Sequence, residues 1–242
     1  MLRTLEVCCF NVESCRSAER AGAVRVELCD NPIEGGTTPS YGTIKKARES
    51  IKIALHPIIR PRSMNYLYSE EEWEIIREDI AICKSLGCDG IAIGMQLITG
   101  NIDTERMKRA VELAYPMDVT CIRVFDAVPD PFEALEQLID AGCNRILTSG
   151  QAASAPEGTV LLKKLVEKAD GRISIMPGAG IRPENLAHLI EETGAMEFHS
   201  SARIKAENPV RHKNTCITDA GSHFIADEAA LKAMVGILTN RS

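Results

Sequence analysis

The sequence predicts one α/β domain, a single (β/α)8 barrel of the TIM type spanning residues 1–242. Three observations carry that expectation. Short β-branched runs alternate strictly with longer amphipathic stretches, the mark of parallel βαβ units. There are eight such pairs, and eight units close into a barrel. Four of the helical stretches end in glycine plus a small residue, at Gly22-Ala23, Gly87-Cys88, Gly142-Cys143 and Gly194-Ala195, with spacings of 65, 55 and 52 residues. Each spacing holds two βα units, so the chain divides into four (βα)2 quarters. The length of 242 residues suits this fold, because such barrels run to about 250 residues as one domain. An open doubly wound sheet is the alternative. It is weakened because no Gly-x-Gly-x-x-Gly follows the first strand.

In chain order, the strands are expected at 5–9, 24–29, 53–60, 90–94, 119–124, 145–149, 173–177 and 197–201. Each is a short run bounded by turn residues. The helices between and after them are expected at 12–21, 41–50, 69–86, 104–114, 131–141, 158–169, 183–193 and 227–238. The four glycines named above suit the left-handed position that ends a helix.

Composition bounds the function. Apolar residues make up 45% and charged residues 26%, enough to build a sizeable core and to exclude disorder. A net charge of -6 and a pI near 5.5 argue against a nucleic-acid surface. No apolar run approaches the roughly 18 residues of a membrane span, and no signal-peptide pattern opens the chain. The expected location is therefore cytoplasmic, with no membrane partner. Nine cysteines without a disulfide-framework spacing are expected as thiols, metal ligands or core residues in a reducing compartment.

Function in such a barrel sits at the C-terminal strand ends. The first strand alternates Leu5, Val7 and Cys9 with Glu6 and Cys8. The second alternates Val24, Val26 and Leu28 with Arg25, Glu27 and Cys29. Apolar faces meet the helices, so Glu-x-Cys points inward from both strands. The eighth strand closes against the first with Glu197, His199 and Ser201 inward. Three carboxylates, Glu6, Glu27 and Glu197, thus lie below Cys8, Cys29 and His199. Two thiolates and an imidazole suit Cu(I), or Zn(II) with a fourth ligand. The cysteines could equally be small residues filling a tapering barrel. Cys9 faces the other way and cannot join the group.

Arg60 and Arg123 end the third and fifth strands, and guanidinium groups there suit carboxylate or phosphate recognition. Alternatively, both arginines pair with the inward glutamates. Three loops resemble anion cradles: Thr148-Ser149-Gly150, Pro177-Gly178-Ala179-Gly180 and Ser200-Ser201-Ala202-Arg203. An anion site is therefore expected from Arg60, Arg123, Ser149, Gly178, Gly180, Ser201 and Arg203. The segment 34–40 is a further wall for it, or a tight turn feeding the next helix. No lysine is expected on a strand, which argues against Schiff-base chemistry. His-x-His, His-Glu-x-x-His and Gly-x-Ser-x-Gly are absent from the sequence. Trp73 is expected to pack a helix face, and His188 and His212 to be exposed.

Taken as an ordered series, these segments resemble the CutC copper-homeostasis family. The series runs Glu6-Val7-Cys8-Cys9, Arg25-Val26-Glu27-Leu28-Cys29, Glu34-Gly35-Gly36-Thr37-Thr38-Pro39-Ser40 and His56-Pro57-Ile58-Ile59-Arg60-Pro61-Arg62. It continues with Arg145-Ile146-Leu147-Thr148-Ser149-Gly150, Met176-Pro177-Gly178-Ala179-Gly180 and Glu197-Phe198-His199-Ser200-Ser201-Ala202-Arg203. The resemblance extends from residue 5 to about 214. It implies a TIM barrel, a cytoplasmic protein and a homodimer, and it carries over Cys8 and Cys29 as Cu(I) ligands. One position departs: where the family reads Phe-His-Arg-Ala-Phe-Asp, this chain has Cys121-Ile122-Arg123-Val124-Phe125-Asp126, with Ile122 in place of histidine.

Two functions follow as expectations. The first is a cytosolic protein of copper homeostasis that binds Cu(I) through Cys8 and Cys29, with His199. The second is a barrel enzyme acting on a small phosphate- or carboxylate-bearing metabolite, with Glu6, Glu27 or Glu197 as general acid or base. Neither calls for an organic cofactor. The expected partners are a copper ion or a small anion.

Overall fold

The structure is a computed structural model that describes residues 2–212, 216 and 222–240. The single-domain expectation over 1–242 therefore includes positions outside the described residues, and the family resemblance, at 213 and 214, also ends outside them. Eight parallel strands alternate with eight helices in the order β1(Thr4–Cys9), α1(Val12–Ala21), β2(Arg25–Leu28), α2(Tyr41–Ser50), β3(Ala54–Ile59), α3(Glu70–Ser85), β4(Gly90–Ile93), α4(Thr104–Ala114), β5(Asp118–Cys121), α5(Pro131–Asp140), β6(Arg145–Thr148), α6(Thr159–Ala169), β7(Ser174–Pro177), α7(Pro183–Thr193) and β8(Glu197–Ser200). A hairpin of β9(Arg203–Lys205) and β10(Phe224–Ala226) precedes α8(Glu228–Asn240). The strand order in the sheet is β7-β6-β5-β4-β3-β2-β1-β8. This is a nearly closed TIM barrel, with β1 hydrogen-bonded to both β2 and β8.

Local chemistry sets the helix ends. Asn11, Ser40, Ser69, Asp103 and Asp130 each accept a backbone N–H in the first turn of the following helix. Gly22 and Gly194, at φ 91° and 68°, end α1 and α7 in the left-handed conformation expected of them. Gly87 and Gly142 share that conformation, so all four repeat positions behave alike. The core lies between sheet and helices. Leu5, Val7, Cys9, Val26 and Leu28 point outward from β1 and β2 and are fully buried against the helix ring. Cys15 and Ala18 on α1 are equally buried, and their small size lets the helix approach the strands.

Two expectations need correcting. The fifth strand ends at Cys121 rather than 124, because the chain turns into a short 3-10 helix over Arg123–Ala127. Asp126 anchors that turn by accepting from Arg123 Nε at 2.7 Å and from Thr148 Oγ1 at 2.6 Å. The β9–β10 hairpin was not anticipated, and it places Lys205 on a strand, outside the barrel. Its strands are three residues long and β9 is exposed throughout, so neither carries a readable apolar period. Trp73 packs against the core under the Arg106 guanidinium, and His188 and His212 are exposed.

Candidate metal centre at the barrel mouth

The barrel interior is built in two levels by strand parity. The lower level is ionic. Arg25 on β2 donates from Nε to Glu6 on β1 and from Nη2 to Glu197 on β8. Arg145 on β6 adds an ion pair to Glu197 at 3.2 Å and another to Asp118 at 3.0 Å. Burial alone would push the Glu6 carboxyl up, but Arg25 and His199 outweigh it and hold it well below the usual carboxylate range. Glu197 is lowered in the same way, with Arg25 and Arg145 overcoming its burial. His56 on β3 sits beside this network, and its buried Nδ1 is without a hydrogen-bond partner. Burial lowers its pKa to about 4, so the ring is neutral. Gly90 on β4 makes room for it, because a Cβ there would lie 2.4 Å from the imidazole.

The upper level holds the thiols. Cys8 on β1 pairs in register with Glu27 on β2, and Cys29 follows two residues later on the same face. The two sulfurs lie 3.7 Å apart. Both sulfurs and a Glu27 oxygen fall within 4.8 Å of one another. His199 on β8 accompanies this group with Nδ1 2.7 Å from Glu6 and Nε2 3.6 Å from Glu27. Its two nitrogens therefore face carboxylates, and Glu27 is the third member of the compact donor set. The Cys29 thiol and the His199 ring beside it bring the Cys8 pKa down to about 5 against the opposing effect of burial. Burial raises Cys29 well above the usual thiol range. Burial works against a charged His199 ring, but Cys8 and Glu6 outweigh it and raise its pKa. Glu27, buried and without a guanidinium partner, is pushed well above the carboxylate range by burial and by the Cys8 charge.

An apolar collar surrounds the sulfurs. Cys29, Ile58, Ala92 and Ile122 form a buried cluster with Cys8, Phe10 and Tyr66 packed against it. Ile122 thus presents hydrocarbon to the sulfurs at the position where the sequence resemblance leads one to expect histidine. Above the collar opens a cavity of about 640 Å³, with Cys8, Glu27 and His199 at its floor.

The expected anion residues divide. Arg60, Arg123, Gly180, Ser201 and Arg203 line the cavity. Ser149 is occupied elsewhere, accepting from Arg123 Nη2 at 2.9 Å, donating to Ala152 O at 2.6 Å and giving its N–H to Asp126. Gly178 lies beneath the floor, with Leu147 and His199 filling the space a side chain would need. The alternative that Arg60 and Arg123 neutralise the inward glutamates is overturned: Arg25 and Arg145 pair with Glu6 and Glu197, and Glu27 has no guanidinium partner among the described residues. Arg60 is instead held by the carbonyls of Glu34, Gly36 and Met64. The inward position of Arg25 follows from the same alternation that placed Glu27. Arg145 and His56 were missed, although the parity of their strands carried the same signal.

Comparison with known proteins bears on the family and the fold. The family model described as the CutC family matches residues 3–204. A family protein CutC from Chromobacterium violaceum is 49% identical over 213 residues, covering 88% of this chain and 86% of its own. A mouse protein named copper homeostasis protein cutC homolog is 43% identical over 228 residues, covering 94% of this chain and 84% of its own. The crystal structure of a protein CutC from Streptococcus agalactiae superposes with a TM-score of 0.79 at 34% identity, over 83% of this chain and 99% of that one. A phosphoribosylanthranilate isomerase from Pyrococcus furiosus, at 14% identity and a TM-score of 0.61 over 98% and 99% of the two chains, shares the fold alone. With a family model across most of its length and relatives this similar, the chain belongs to the CutC family.

Proposed function

We propose that this protein takes part in copper homeostasis by binding one Cu(I) ion between Cys8 and Cys29. The 3.7 Å separation of the two sulfurs against an apolar collar carries this reading. Thiolates select soft Cu(I) over hard cations. An ion held about 2.3 Å from each sulfur, as zinc is by thiolates, fits a 3.7 Å bite with a bent rather than linear arrangement. A bent pair leaves room for a third donor, and Glu27 and His199 stand nearest. Cys8 supplies a thiolate already near neutral pH, with its pKa brought down to about 5 chiefly by the Cys29 thiol. Cys29 loses its proton when the ion binds. The protein works as one domain, in the cytoplasm and as a homodimer, as the family resemblance implies. Among the described residues no helix is long and apolar enough to cross a membrane.

The test is anaerobic titration of reduced protein against a competing Cu(I) chelator. Wild type is expected to take one equivalent, with weaker binding as pH falls. Cys8→Ser/Cys29→Ser is expected to take none. Equal competition by the two proteins overturns the reading.

A further inference from the structure

The cavity above the thiols is far larger than a single ion requires. Its volume of about 640 Å³ lies within the roughly 300–1,000 Å³ of sites that hold small organic molecules. Its walls are also cationic in a chain of net charge -6. Arg60, Arg123, Arg182 and Arg203 face it, against the carboxylates of Glu27 and Glu34.

The state of these guanidinium groups is the decisive feature. Arg25 and Arg145, also buried, are each matched by two carboxylates. Arg60 is only 4% exposed. Its hydrogen bonds go to three backbone carbonyls at 3.1, 2.9 and 2.8 Å, and its plane lies 4.8 Å over the Tyr66 ring. Carbonyls and an aromatic face orient a guanidinium without neutralising it, and a buried charge without a counter-ion is costly. Arg203 is held in the same manner, by the Pro32 carbonyl at 2.6 Å and the rings of Phe10 and Phe224. Among the described residues no carboxylate ion-pairs with Arg60, Arg182 or Arg203, while Arg123 is steered by Asp126. The four arginines follow four different strands, β3, β5, β7 and β8, so they surround the cavity rather than converge on one point.

We propose that this cavity is a binding site for a small organic anion carrying two or more carboxylate or phosphate groups. Arg60 and Arg203 supply fixed positive charge on one side, and Arg123 and Arg182 on the other. The spread of the arginines favours separated anionic groups over one inorganic oxyanion. Phe10, Ile122 and Leu147 offer an apolar wall to the carbon skeleton. The site stands on its own arginines and does not depend on copper at the floor.

The experiment is calorimetric titration of metal-free, reduced, full-length protein at constant ionic strength. The probes are citrate and fructose 1,6-bisphosphate, with inorganic phosphate and fructose as comparators. At least one polyanion is expected to bind one-to-one and at least about ten-fold more tightly than phosphate, with no heat from fructose. Arg182→Gln, on the exposed rim, is expected to weaken binding about ten-fold, and Arg60→Met to weaken it further. Because Arg60 also ties two loops together, Arg182→Gln carries the test if Arg60→Met does not fold. Neither thiol brings positive charge to the site, so Cys8→Ser/Cys29→Ser is expected to bind the polyanion at least as tightly as wild type does, which separates this site from the copper reading. Absence of heat from both polyanions, unchanged affinity in Arg182→Gln, or loss of binding in the thiol variant overturns the proposal.

Discussion

Glu6 and Glu27 sit on adjacent strands, both inward and both buried, yet they have opposite chemistry. Glu6 lies one level lower, between Arg25 and His199, and is firmly ionised. Glu27 lies beside two thiols and an apolar collar and tends to keep its proton. The lower level is neutralised by its own side chains. The upper level, with the cavity above it, offers its thiols and Glu27 only His199 and leaves Arg60, Arg182 and Arg203 without a carboxylate partner among the described residues. Fully matched charge fixes a structure, and unmatched charge is where a ligand gains the most.

That contrast breaks most directly at Arg25. Arg25→Met leaves buried Glu6 with His199 alone and half-buried Glu197 with Arg145 alone, and removing one partner of a buried ion pair costs about 3–5 kcal/mol. Urea denaturation is expected to show a loss of this order; a loss below about 1 kcal/mol would mean that the lower level is not structural. His56 gives the next largest effect. Its folded pKa of about 4 lies below the ordinary 6.5, so the unfolded chain takes up the proton first as pH falls. The stability His56 contributes is present above 6.5 and fades toward 4. The expected loss between pH 7 and pH 5 is about 2 kcal/mol, and His56→Gln is expected to flatten that slope. An unchanged slope in the variant would place the titration elsewhere.

The upper level predicts smaller changes of a different kind. Glu27 holds its proton above the ordinary 4.5. Its protonated form therefore stabilises the fold at low pH, and that contribution is lost as pH rises past 4.5. Glu27→Gln mimics the protonated form and is expected to match wild type near pH 4 and to be more stable by about 1 kcal/mol at pH 7. A variant less stable at pH 7 would assign Glu27 to the structural level. Cys8→Ser/Cys29→Ser is expected to shift thermal stability by less than about 1 kcal/mol in metal-free protein. A larger loss would make the pair core packing.

Most of the barrel was legible because alternation of period two and the glycine stops are local signals. The inward position of Glu6, Cys8, Glu27, Cys29, Glu197 and His199 followed from parity alone. What parity cannot assign is which inward groups meet across the barrel. Arg145 reaches Glu197 from two strands away, a distance set by barrel closure rather than by any nearby residue. The fate of Ser149 depended on Asp126, which itself required the chain to leave the strand at Cys121. The β9–β10 hairpin joins segments about twenty residues apart with three-residue strands, too short for a pattern to register.

One feature of the topology bears on motion. The strand order starts at β7 and ends at β8, and among the described residues no backbone ladder joins them. Side chains close that gap: Arg145 grips Glu197, and the Ser200 hydroxyl donates to the Ile181 carbonyl at 2.8 Å. Breathing of the barrel is therefore expected to begin there, with amide hydrogens along the facing edges of β7 and β8 exchanging with solvent sooner than those of β1 to β4. His199 rides on that edge, so the thiols at the mouth share a wall with the part of the barrel that opens first.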